Sequence, residues 1–81
     1  MVHRFQNIYG ISYVVTGTSK DVKSQMQELV LSVMEDKKFP FATVYVKIPA
    51  FLFQKFMEEV RSAELKYVEM ETKKDMFLIK F

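Results

Sequence analysis

The chain contains no cysteine. That absence removes disulfides, thiolate zinc sites, iron–sulfur clusters and cysteine nucleophiles together, and it fits a reducing compartment. His3 is the only imidazole, so no pair of imidazoles exists to hold zinc or iron. Glycine and proline number two each. No linker, repeat or low-complexity run interrupts the sequence, and a single small domain over residues 1–81 is expected, with residues 1–7 as a flexible N-terminus. The longest uncharged stretch, from Phe5 up to Lys20, contains Gln6, Asn7, both glycines and several hydroxyls, and cannot span a bilayer. Met1 to Asn7 has neither the basic start nor the apolar block of a secretory signal. A cytoplasmic protein without membrane contact is expected.

What is present is modest: 81 residues, 49% apolar, 27% charged, with a net charge of +2. A domain of this size buries only about 60–65% of the surface its unfolded chain exposes, so its stability margin is thin without reinforcement. With disulfides and imidazole metal sites excluded, a second copy of the chain is the expected reinforcement, and a homodimer the expected state.

The segment Ile8 to Thr16 is rich in β-branched and aromatic residues and stops at Gly17, which predicts a strand with Ile11, Tyr13 and Val15 on one face and Val14 on the other. Thr18 and Ser19 offer caps to a following helix, whose apolar stripe is Val22, Met26, Leu29, Val30, Val33 and Met34. Leu31 falls opposite that stripe. The pair Phe39–Pro40 halts the helix, and Phe41 to Ile48 alternates as a second strand, with Tyr45 and Lys47 away from the packed face. Pro49 suits the first helical position. A second helix follows over Ala50 to Ser62, with Phe51 outside its apolar stripe. Leu65 to Glu71 and Met76 to Phe81 flank Thr72 to Asp75 as a hairpin in which Met70 faces Phe77 and Val68 faces Ile79. That pairing sets Tyr67, Glu69, Glu71, Leu78 and Lys80 on one face.

The order β-α-β-α-β-β gives an α+β or α/β two-layer sandwich: a four-stranded mixed sheet with two helices on one face and one open sheet face. The alternative is a ferredoxin-like sandwich, which needs two strands between the helices; an early strand at His3 to Gln6 would change the count. The element order is similar to that of the archaeal Alba chromatin proteins and of the carboxy-terminal domain of bacterial translation initiation factor three. The resemblance covers topology and no residue motif, and implies nucleic-acid binding as one expectation. The octet Lys38 to Tyr45 lacks the second-position glycine and fifth-position aromatic of an RNA recognition motif, which removes that family.

No constellation carries a chemistry. Val15 to Lys20 is a strand, glycine turn and helix start where phosphates can dock, yet it is no Walker loop and reads more simply as a helix cap. No serine or threonine has a base in evident reach, and Glu58 and Glu59 diverge by about 100° around their helix. No catalytic residue, metal site or cofactor is expected, and the chain is read as no enzyme. The lysines are spread among acids rather than gathered in a stripe. The expected function is a protein-interaction module, homodimeric, that uses the open sheet face through Tyr45, Lys47, Tyr67, Leu78 and Lys80, or the apolar residues Leu31 and Phe51. Its partners would be itself and an unidentified protein. The alternative is a DNA- or RNA-binding regulator, in which the tyrosines stack on bases and the lysines meet phosphates. Motif-poor chains of this size are also common among virus and phage products.

Overall fold

A computed structural model describes all residues 1–81. The elements are β1 (Val2–Asn7), β2 (Gly10–Val15), α1 (Val22–Asp36), β3 (Val44–Pro49), α2 (Ala50–Ser62), β4 (Glu69–Lys73) and β5 (Met76–Lys80). This is a small α+β fold with two helices and a five-stranded mixed sheet of order β1-β2-β3-β5-β4. One strand more than expected enters at the N-terminus. Residues 2–7 form an antiparallel hairpin with β2 around the turn Ile8–Tyr9, so the expected flexible terminus is a sheet edge and the first expected strand begins at Gly10. A single strand, β3, separates the helices, which removes the ferredoxin-like alternative.

The sheet pairs β2 with β3 in parallel, then β3 with β5 and β5 with β4 antiparallel, so β2, β3 and β4 run the same way. One sheet face and both helices enclose a core of sixteen residues, among them Ile11, Tyr13 and Val15 of β2, Val44, Val46 and Ile48 of β3, and Ile79 of β5. Helix α1 contributes Met26, Leu29, Val30 and Val33, while α2 contributes Leu52, Phe56, Met57 and Val60. Met34, expected on the α1 stripe, is 37% exposed. Aromatic pairs link α2 to the sheet: Phe53 stacks on Phe77 with centroids 3.8 Å apart, and Phe56 meets Phe81 edge to face.

Several local expectations shift by a residue or two. The α1 cap is Asp21, whose carboxylate accepts from the Ser24 amide at 3.1 Å, and not Thr18 or Ser19. Pro49 ends β3 and is itself the N-cap of α2. Lacking a capping side chain there, the Ala50 amide donates to the Asp75 carbonyl at 2.6 Å, so the β4–β5 turn closes the helix start. That turn is the two-residue Lys74–Asp75 rather than Thr72 to Asp75. The register moves by two accordingly: Met70 pairs with Ile79 and Glu71 with Leu78. Because side chains alternate with period two, this shift leaves each hairpin residue of β4 and β5 on the face expected for it. Val68 is the exception, in an exposed bend outside β4.

Candidate functional site

The face of the sheet turned away from the helices is built by residues that alternate with the core positions. Cross-strand register sets Phe5, Ser12, Tyr45, Lys80 and Glu69 in one row, and His3, Val14, Lys47, Leu78 and Glu71 in the next. Four of the five contact residues expected on this face (Tyr45, Lys47, Leu78 and Lys80) are therefore neighbours. Tyr45 stands opposite Lys80, and Lys47 opposite Leu78. A hollow of about 430 Å³ lies at the β4 side of the face, lined by Tyr45, Glu69, Met70, Glu71, Leu78 and Lys80. Tyr67 does not join it: the residue lies before β4, outside the sheet, and is 46% exposed.

The electrostatics of the face divide across its width. Glu69 faces Lys80 directly and Glu71 flanks Leu78, so acids interrupt the lysines on the β4 side. From β1 to β3 the two rows carry no acid, only His3, Phe5, Ser12, Val14, Tyr45 and Lys47. His3 and Phe5 were not expected on this face, because their strand shows no apolar alternation and an early strand at His3 to Gln6 stood only as a change to the count. Their rings lie 6.4 Å apart.

The helical side holds the other two expected contact residues. Leu31 is 63% exposed and Phe51 71% exposed, as their positions off the apolar stripes require. They do not form one patch. Leu31 borders a groove between the helices with Gln27, Val30, Glu59, Ser62 and Ala63, and Phe51 is not part of it.

The helix start after Gly17 is closed to an anion. The Ser19 amide donates to Gln25 Oε1 at 2.8 Å, and Gln25 Nε2 donates to the Gly17 carbonyl at 2.8 Å, so a buried glutamine holds the loop. Asp21 adds its own negative charge there, its carboxyl held below the usual range by the Ser24 amide. A further polar cluster joins β1 to α1. Arg4 pairs with Asp36 at 3.0 Å and donates to the Tyr13 hydroxyl at 3.2 Å, while that hydroxyl donates to Asp36. All three groups satisfy one another, which is the arrangement of a structural tie.

No three His, Asp or Glu side chains gather to hold a metal ion, and no helix is long and apolar enough to cross a membrane. No family model, curated protein or solved structure matches the chain. The strand β1, ahead of β2, also departs from the six-element order on which the likeness to the two nucleic-acid-binding families rested.

Proposed function

We propose that this protein is a non-enzymatic interaction module of the cytoplasm, working as a homodimer and using its open sheet face to contact a protein partner. The observation that carries the reading is the position of Glu69 opposite Lys80 and of Glu71 beside Leu78. A phosphate backbone approaching Lys80 meets these carboxylates at the same time, which opposes the electrostatic term on which nucleic-acid binding depends. A protein surface of mixed charge suits such a face, and the tyrosine and leucine between the charges supply the apolar contact.

The acid-free half of the face, with Phe5, Tyr45, His3 and Lys47, supports nucleic-acid binding as the second reading, through stacking and a small number of phosphate contacts. Fluorescence anisotropy with labelled mixed-sequence duplex DNA and single-stranded RNA, at about 50 and 200 mM salt, separates the two. The proposal predicts no binding at the lower salt. Binding that weakens steeply with salt, and is lost in Lys47→Glu, establishes the second reading instead.

A further inference from the structure

We infer that β1 is the edge through which two copies of this chain associate, pairing antiparallel about a two-fold axis at Phe5 so that two sheets become one. The inference deepens the homodimer reading above and rests on it.

The sheet has two edges, and they are built differently. β4 places Glu69, Glu71 and Lys73 in the open, the kind of charged edge that resists pairing with another strand. β1 has no lysine and no proline, is exposed along its whole length, and has its one charged side chain, Arg4, committed to Asp36. Its backbone is ready to pair. The Thr16 amide donates to the Met1 carbonyl at 2.8 Å, which fixes the alternation: Met1, His3, Phe5 and Asn7 turn their backbone groups toward β2. Val2, Arg4 and Gln6 therefore present free N–H and C=O groups outward.

Chemistry selects the register. An axis at Arg4 would set two guanidinium groups opposite each other, which is unfavourable. An axis at His3 would leave the turn Ile8–Tyr9 beyond the end of the second strand. With the axis at Phe5, Arg4 lies opposite the partner's Gln6, and the two phenylalanines meet at a site without ladder hydrogen bonds, where side chains approach most closely. The turn then comes beside the start of the second copy. Met1 (73% exposed), Phe5 (55%), Ile8 (92%) and Tyr9 (80%) all belong to this edge, and of the three axes this one sets Met1 opposite the partner's Tyr9.

A chain without cysteine makes the test clean. Opposed residues at a site of this kind have Cα atoms about 4.5 Å apart, within reach of a disulfide. Under mild oxidation, Phe5→Cys is expected to give a covalent dimer, whereas Arg4→Cys and the opposite-edge variant Glu71→Cys stay monomeric on a denaturing gel. Gln6→Pro, which removes an outward N–H without breaking a bond to β2, is expected to be a folded monomer by light scattering and circular dichroism. Cross-linking of Arg4→Cys in place of Phe5→Cys overturns the register. A wild-type dimer that neither cross-links through Phe5→Cys nor dissociates in Gln6→Pro overturns the edge and leaves the homodimer reading intact, while a wild-type monomer removes both.

Discussion

The Arg4 guanidinium of β1 reaches the Asp36 carboxylate at the last residue of α1, 3.0 Å away, and Tyr13 donates to the same carboxylate. Asp36 sits at the negative end of the helix dipole, where a carboxylate alone is disfavoured. The tie offsets that cost and fastens the edge strand to the helical layer. The partners contribute unequally, because the Asp36 side chain is 13% exposed and that of Arg4 44%. Asp36→Ala is expected to cost about 1–3 kcal/mol by urea denaturation, since it leaves the half-buried Tyr13 hydroxyl without the acceptor of its proton and Arg4 without its carboxylate. Arg4→Ala is expected to cost less, because Tyr13 and Asp36 keep each other.

Burial pushes the Asp36 carboxyl upward, but the hydrogen bonds from Arg4 and Tyr13 and the Arg4 charge outweigh it, leaving its pKa below the ordinary value. A carboxyl lowered in the folded state adds stability that is complete above the unfolded-state pKa, about 4, and is lost as pH falls through the folded value. Tyr13 is shifted the other way, upward, chiefly by burial, so its contribution is complete below its usual pKa of about 10 and fades as pH rises beyond it. The stability gap between wild type and Asp36→Asn, followed by urea midpoints, should be widest near neutrality and should close below about pH 4. A gap that stays constant into acid would show that the carboxylate charge is idle.

Gly10 has φ of +143°, and a Cβ built there would lie 2.5 Å from the Thr43 carbonyl oxygen. Gly10→Ala combines strained backbone with a collision against the backbone just before β3, and should cost about 1–3 kcal/mol or more. Gly17→Ala serves as the comparison, for its nearest neighbour is 3.5 Å away and its thermal midpoint should stay near that of the wild type.

Two side chains occupy left-handed backbone where glycine is preferred. Just past the Ala63 cap of α2 stands Glu64 at φ 55°, the Glu64 amide donating to the Arg61 carbonyl and the Leu65 amide to that of Val60, while Lys74 turns the β4–β5 hairpin at φ 43°. Glu64→Gly and Lys74→Gly should each raise stability by about 1 kcal/mol, read as a higher urea midpoint with unchanged slope. A fall in either midpoint would contradict the assigned backbone.

What the sequence disclosed follows from which residues are half buried. α2 matched over Ala50–Ser62 because its stripe is strongly amphipathic, and β3 showed its alternation because only one of its faces packs on the core. β1 left no such trace. Both of its faces are exposed, and Val-His-Arg-Phe-Gln-Asn carries no periodicity; pairing with β2, a long-range event, makes it a strand. The hairpin register was equally illegible, since a slip of two preserves every face and no glycine marked the turn. The candidate face was therefore half visible: Tyr45, Lys47, Leu78 and Lys80 were expected neighbours, while His3 and Phe5 entered with a strand that had been weighed at His3 to Gln6 but not counted in the sheet. Tyr67 was misplaced because β4 starts at Glu69, two residues after it.

Self-association through β1 is central to the function proposed for this protein. Light scattering over a concentration series, from micromolar upward, measures it directly. A mass of twice the 9.6 kDa chain, persisting on dilution and lost in Gln6→Pro, is the predicted result. A single-chain mass at every concentration would contradict the account and leave β1 an unpaired edge.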